Sequence, residues 1–586
     1  LIAAARTASG GPAWDRITTW HEHGEAKAGG LAGTYESWTD LPTGRGANTF
    51  NLGPATGAQG YDGHVSCSTD SSGQVRIETS AEAIAAAKQS AYLSAWGIFF
   101  PHRFPATIAP AAPHTEAGIT YEAIRVTPAG AEPLELWFDP KTHLVAREVQ
   151  LTGTQPQSTL LGRYTAVNGI TIPFETIMRV GNTPKFDTVT EAAAIDLNQP
   201  TQAARYAPPP PPGADATFPP GKTSVTVPIH LRNNHIYLQA TINGKLAEFI
   251  FDTGATNFFD TTHAKALGVS LSGELPGGGF GSAISKISVG KVATVSIGGF
   301  TLKDQVFFAQ DLADLRATED VDAAGLVGYE FAKRAVLTVD YAHNTLTLTK
   351  PDAFHPPAAP AIPFTFNAHV PMVTATVDGI AGEFEIDTGA RSALTLMHPF
   401  ASAHDLVAKY HATHTATVGF GVGGPSHGLL ARAGELRIGP VTVHDPVTDL
   451  VMDKAGAAAA ARTAGNIGGD VLKRFTLTLD YGHQKMWLQP NKLATAKDVF
   501  DRSGLWLRRA ANGNMNILDV TPSSAAATAG LHASDEILAI NGHAAKTQKI
   551  YDVRELFKQA PGTVVHLSIA TKTGPKTVTL TLADQV

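Results

Sequence analysis

The sequence predicts a mainly β protein of three to four domains built around a duplicated β-rich unit, and three observations carry that expectation. At 586 residues the chain is too long for one hydrophobic core. Its composition, 43% hydrophobic and 17% charged with 56 Gly and 37 Pro, is that of a loop-rich β protein. The third observation is an internal repeat. Ala240, Thr241, Gly244, Glu248 and Phe249 recur, 135 positions on, as Ala375, Thr376, Gly379, Glu383 and Phe384. Further along the offset is 140. Gly279-Phe280-Gly281 returns as Gly419-Phe420-Gly421, Gly325-x-x-Gly328 as Gly465-x-x-Gly468, and Asp340-Tyr341 as Asp480-Tyr481.

Residues 1–206 form the first region. Leu134–Phe138 and Leu144–Val149 read as strands joined by a turn at Asp139-Pro140-Lys141-Thr142. Ala81–Trp96, rich in Ala and Leu, reads as a helix. A mostly antiparallel α+β domain is expected, and its strand–turn rhythm distantly resembles the half-barrels that carry lipoproteins across the periplasm. Three roles stay open for it: a spacing or folding module, a binder of an apolar ligand, or a pro-segment over a cleft. His21 and His23 would share one strand face, but a third ligand is missing, so no metal or cofactor is expected.

Residues 207–221 are a linker whose Pro208–Pro212 run favours an extended, stiff spacer. The repeat units follow at 222–352 and 353–491, with Pro356-Pro357-Ala358-Ala359-Pro360 as a second spacer. Each unit has a short apolar strand ending in the same four residues: Phe249-Ile250-Phe251 runs into Asp252-Thr253-Gly254-Ala255, and Phe384-Glu385-Ile386 into Asp387-Thr388-Gly389-Ala390. Two carboxylates held about 3 Å apart cannot both ionise, so one stays an acid and the other a base. Such a pair can activate a water and protonate a scissile carbonyl with no metal and no covalent intermediate. Thr253 and Thr388 would cross-brace the pair, and Gly254 and Gly389 would let the backbone approach a substrate.

With both copies in view, the repeats resemble the two halves of a retropepsin-like aspartic protease, joined in one chain as in pepsin. The resemblance spans roughly residues 222–490. It implies a two-lobed, pseudo-twofold β-barrel peptidase with Asp252 and Asp387 as catalytic residues. It also implies glycine-tipped flaps at Gly279, Phe280 and Gly281 and at Gly419, Phe420 and Gly421. A segment passing behind each catalytic loop would be Leu326-Val327-Gly328 and Asn466-Ile467-Gly468, the second departing from the family pattern at Asn466. Ala255 and Ala390 stand where pepsin-like chains tend to carry a hydroxyl that lowers the dyad's pKa, so an optimum at mildly acidic to neutral pH is expected. Ala455–Ala461 is an alanine-rich insert with no evident chemistry.

Residues 497–586 change rhythm. A short helix before Gly530, a strand running into Asn541-Gly542, a helix over Tyr551–Gln559 and two closing strands resemble a PDZ domain of bacterial protease type. The resemblance implies that Gly504, Leu505, Trp506 and Leu507 form a loop whose N–H groups cradle a peptide C-terminus. Packing of the domain on the protease is the other reading. Ser534 stands where the family usually has Gly, a small cost if the turn there is not left-handed.

A net charge of −7 and a pI near 6.3 argue against a nucleic-acid partner. No apolar run approaches the ~20 residues that span a bilayer. The chain begins at Leu1-Ile2-Ala3 without an initiator Met, and the expectation is a trimmed periplasmic or secreted protein whose export signal is not part of it. Cys67 is the only cysteine. The expected function is hydrolysis of polypeptides by a monomer that carries both aspartates. The competing readings are an inactive peptide-holding scaffold and an apolar-ligand carrier.

Overall fold

The computed structural model describes residues 1–69, 72–151, 155–209, 214–279, 281, 283–421, 423–571 and 574–586. The first region is a 13-stranded sheet running from Val75–Glu78 at one edge to Ala106–Glu116 at the other. Thr19–Ala28 and Leu31–Asp40 pair along their whole length about Gly29 and Gly30, both at positive φ. The expected hairpin is Leu134–Phe138 against Val145–Gln150. Its turn is tied by Asp139 Oδ1, which accepts from the Lys141 and Thr142 N–H groups at 2.9 and 2.8 Å. The expected helix spans Ala81–Ser94, and Ser80 Oγ caps it by accepting from Ala83 N at 3.1 Å. Beyond its end Trp96 packs on Trp14 and Phe99, with ring centroids 5.2 and 5.7 Å apart.

Most of the proline run lies outside the described residues. Just past it, Asp215 Oδ1 accepts from Arg334 Nε at 2.7 Å, which pins the end of the linker to the next unit.

The two repeat units pair their strands alike. In the first, Lys245–Asp252 lies antiparallel to His235–Ile242 and parallel to Gly325–Gly328. In the second, Ile380–Ile386 lies antiparallel to Val370–Val377 and parallel to Thr463–Ile467. A 6-stranded sheet joins the lobes in the order Ser224–Pro228, Thr345–Thr349, Val336–Asp340, Phe475–Asp480, Lys485–Pro490, Ile362–Pro363. At its centre Leu337 faces Leu479 and Val339 faces Leu477, while the Thr338 and Thr478 hydroxyls meet at 3.2 Å on the pseudo-twofold axis. One apolar core runs through both lobes, from Phe249 and Val339 to Phe384 and Leu477.

The C-terminal domain is a further antiparallel sheet in which Leu505–Arg509 is an edge strand, with a short helix Ala525–Thr528 and a longer one Ile550–Phe557. Asn541 and Gly542 turn left-handed between Glu536–Ile540 and His543–Ala544, as expected of Asn-Gly. Ser534 also has φ 75°, so the condition under which its side chain would cost little is not met. A β-carbon in that region costs about 1–2 kcal/mol.

Both flanking domains pack on the central unit. Leu275 joins an apolar cluster with Ala26, Ala28 and Leu52 of the N-terminal sheet, where Glu274 N also donates to Gly29 O at 2.7 Å. On the other side, helix Ala313–Glu319 of the first lobe lies against strand Leu505–Arg509 and helix Ile550–Phe557.

Candidate active site

Strand Lys245–Asp252 is sandwiched between two neighbours, so Phe249, Ile250 and Phe251 are all buried and Asp252 emerges at the strand's end. Gly328 passes directly behind it. A β-carbon there would fall 1.7 Å from the Asp252 carbonyl oxygen, so only glycine fits. In the second lobe Gly468 stands in the same relation to the other loop, where a β-carbon would lie 2.3 Å from Ser392 O.

The two Asp-Thr-Gly loops meet. Thr388 Oγ1 accepts from Thr253 N and Thr253 Oγ1 accepts from Thr388 N, each at 3.0 Å. The same hydroxyls donate across the axis, to Ile386 O at 2.8 Å and to Phe251 O at 3.1 Å. Four hydrogen bonds at fully buried threonines therefore fix the spacing of the aspartates. Gly254 N donates to Asp252 Oδ1 at 2.7 Å and Gly389 N to Asp387 Oδ1 at 2.8 Å. A β-carbon on Gly389 would lie 2.2 Å from Asp252 Cγ, and one on Gly254 would lie 2.8 Å from Asp387 Oδ1. Burial first, and then the Asp387 carboxylate beside it, push the Asp252 carboxyl well above the ordinary range.

Two neighbours of the dyad were missed as functional residues in the sequence. Asn466, visible there only as a departure from a family pattern, donates from Nδ2 to Asp387 Oδ2 at 2.8 Å and to Glu385 Oε2 at 3.3 Å. The Asp252 carboxylate has no such side-chain donor among the described residues. His369 Nε2 lies 2.8 Å from Gly254 O, and burial, then the charge of Arg76, push its pKa down to about 4. A neutral ring at that distance donates to the carbonyl.

The aspartates open into a cavity of about 440 Å³. Gly279, Gly419, Phe420 and Gly421 line it; Phe280 lies outside the described residues. Both lobes carry the expected hairpin, with arms Leu271–Gly277 and Ser285–Ile297 in one and His414–Gly421 and Gly424–Arg432 in the other. Gly419–Gly421 belong to the arm, pairing with Gly424–Ser426, so the turn itself comes after them. The tips touch: Ala283 N donates to Gly423 O at 3.1 Å, and a β-carbon on Gly281 would lie 2.3 Å from the Gly423 carbonyl carbon. The alanine-rich insert, to which the sequence assigned no chemistry, holds the first tip through Ala457 N and Gly279 O at 3.0 Å.

The predicted peptide cradle needs correction. Gly504 N already donates to Asp501 Oδ1 and Leu505 N to Ser503 Oγ, each at 3.0 Å. Leu505 and Leu507 point into their own domain's core. Trp506 instead projects into the wall of the active-site cavity, with the Arg391 guanidinium 4.1 Å above its ring. Helix Ala313–Glu319 packs along part of the groove beside this edge strand, whose Gly504–Trp506 end opens into a cavity lined also by Arg554, Glu555 and Lys558. Asp320 after that helix accepts from Arg509 Nε at 3.1 Å and from Ile550 N at 3.0 Å, and also pairs with Arg509 Nη2. Arg554 Nη2 donates to Thr318 O at 2.8 Å. Against the upward push of burial, Arg554 and then His235 hold Glu319 well below the usual carboxylate range.

Residues 238–331 match the aspartyl protease family, and residues 517–571 match the PDZ domain family. The chain carries an aspartyl-protease domain and a PDZ domain. The aspartyl-protease match covers the first lobe, and Asp387 lies beyond it. Among solved structures, a retropepsin-like aspartic protease from Rickettsia conorii aligns at 21% identity, over 22% of this chain and 90% of its own, with a TM-score of 0.17. A LolA-superfamily protein from Nitrosomonas europaea aligns at 10% identity over 35% of this chain and 97% of its own, with a TM-score of 0.25. A serine endoprotease from Yersinia pestis aligns at 13% identity over 43% and 76%, with a TM-score of 0.16. No curated protein sequence matches the chain.

Proposed function

We propose that this protein is an aspartic endopeptidase that hydrolyses polypeptides, with Asp252 and Asp387 of one chain as the catalytic pair. The observation that carries the reading is the threonine cross-brace, which holds two carboxyls in contact at the floor of a flap-covered cavity. Asp387 receives donors on both oxygens, Gly389 N and Asn466 Nδ2, whereas among the described residues Asp252 receives Gly254 N alone. Two donors favour the ionised form, so the shared proton rests on Asp252 and the charge on Asp387. Asp387 then takes a proton from the attacking water as Asp252 protonates the scissile carbonyl oxygen. The closed flaps and Trp506 exclude bulk water while this happens.

A second reading concerns the PDZ domain, which serves here as a wall of the cleft rather than as a captor of free C-termini. The helix packed along part of the groove and the bound N–H groups of Gly504 and Leu505 favour it. A periplasmic or secreted site of action fits the single cysteine. Among the described residues, no helix is long and apolar enough to cross a membrane.

The test is digestion of an unfolded protein substrate by the full chain and by Asp252→Asn and Asp387→Asn. Each substitution is expected to cut kcat by about 10²–10⁴-fold, the usual worth of a positioned acid or base. Undiminished cleavage in either variant would dispose of the dyad.

A further inference from the structure

The two lobes pair their strands alike around the dyad, yet the side chains at matching positions are of opposite character. In the first lobe Ile250 pairs with Leu326, Leu326 with Phe258, and Phe258 with Phe308. In the second lobe the same ladder reads Glu385 with Asn466, Asn466 with Thr395, and Thr395 with Asp449. Directly paired residues present their side chains on one face of a sheet. The first lobe thus turns a wholly apolar row into the cavity, since all four of its members line it. In the second lobe the row is wholly polar: Thr395 and Asn466 line the same cavity, and Glu385 accepts from Asn466 Nδ2 at 3.3 Å.

That polar row is short of donors. Asn466 Oδ1 and Asp449 Oδ1 are buried and have no hydrogen-bond partner among the described residues. A buried oxygen left without a donor costs about 1–3 kcal/mol, so its retention asks for an explanation. Thr395 and Asn466 line the active-site cavity, and Asp449 lines an adjoining one that shares Arg391, Ser392 and Trp506 with it. Burial, and then the Asp387 charge, push Glu385 up to about 8; burial likewise pushes Asp449 up to about 7. Arg391 offsets part of the charge at Asp449, but among the described residues neither carboxyl has a cation at ion-pair distance. A cationic side chain entering this subsite would supply the missing donors and the missing charge together.

Resting on the peptidase reading above, we propose that the cleft selects a large apolar or aromatic side chain on one side of the scissile bond, against Ile250, Phe258, Phe308 and Leu326, and a lysine or arginine on the other, against Glu385, Thr395, Asp449 and Asn466. Neither row lies in the dyad, and the four matched exchanges fall on the same ladder rungs. The selection is therefore built into the lobes and does not depend on the flaps.

The experiment is a peptide-library digest by the full chain, with cut sites read by mass spectrometry. The expected result is an aromatic or large aliphatic residue on one side of the cut bond and Lys or Arg on the other, favoured at least ~10-fold over Leu, since a site with unpaired buried polar groups rejects a ligand that cannot pair them. In Glu385→Gln and Asp449→Asn, which keep the side-chain shape, the Lys-to-Leu ratio is expected to fall several-fold. Apolar preference on both sides, or a ratio unmoved in both variants, overturns the proposal while leaving the peptidase in place. Binding of uncleavable reduced-amide peptides to Asp252→Asn covers the converse case. If the unsubstituted chain cuts nothing, a Lys-over-Leu preference there upholds the subsite and removes the peptidase; equal binding overturns the subsite.

Discussion

Asp320 is where the PDZ domain can be levered off the protease. It follows helix Ala313–Glu319 in a left-handed conformation, φ 55°, and its carboxylate is only 10% exposed. Both oxygens are engaged by Arg509, and one also takes Ile550 N at 3.0 Å at the start of helix Ile550–Phe557. Asp320→Asn keeps the backbone preference, because Asn tolerates this region, and removes the charge and the two-pronged geometry. Breaking a part-buried pair that leaves Arg509 behind costs about 3 kcal/mol. At 1.4 kcal/mol per decade that is roughly a 100-fold rise in the undocked population. Hydrogen exchange reads it directly: amides of Ala313–Glu319 and Leu505–Arg509 should lose about two decades of protection, while the strand Val336–Asp340 between the lobes should not change. Equal protection in the variant would mean that the groove is held by apolar contact alone and that the clamp contributes nothing.

Three other outcomes follow from the geometry. Gly389→Ala should abolish cleavage, at least ~100-fold by rate assay, because its β-carbon would lie 2.2 Å from Asp252 Cγ and would part the dyad. Ser534→Gly should stabilise the PDZ domain by about 1 kcal/mol in a denaturant titration followed at that domain, since Ser534 sits at φ 75°. The third concerns pH. The Asp449 carboxyl is raised to about 7 from an ordinary 3.8, so the folded state holds a proton that the unfolded chain releases. Its contribution is intact below the unfolded pKa and is lost as pH rises to about 7, at about 1.4 kcal/mol per pH unit. Thermal melts of Asp449→Asn should therefore decline less steeply between those limits than the parent, and parallel curves would refute the assignment.

The meeting of the two Asp-Thr-Gly loops was legible because its parts are local: a short apolar strand runs into a carboxyl and a glycine, written twice. The helix read over Ala81–Trp96, which spans Ala81–Ser94, and the Asn541-Gly542 turn were legible for the same reason. What was illegible depends on residues far apart. The partner of Arg509 is Asp320, and no local pattern marks an aspartate after a short helix as an anchor for another domain. The loop at Gly504–Leu507 read as a carboxylate cradle because the resemblance to a PDZ domain places one there, yet Asp501 and Ser503 supply the acceptors first. Asn466 looked like a blemish while each repeat was read for agreement. Only the ladder pairing of Glu385, Asn466, Thr395 and Asp449 shows that the disagreements fall on one surface.

The sheet between the lobes bears on how the molecule could be divided. Val336–Asp340 has Thr345–Thr349 on one side and finds its other neighbour only in Phe475–Asp480. A fragment ending in the 353–361 spacer would bare the Leu337 and Val339 edge, and its C-terminal counterpart would bare Leu477 and Leu479. Unpaired strands with buried-type side chains are sticky templates. Separately expressed halves should therefore find one another, or copies of themselves, before either behaves as a well-dispersed body. In this chain the gene's tandem form supplies a partner at high local concentration from the moment of synthesis.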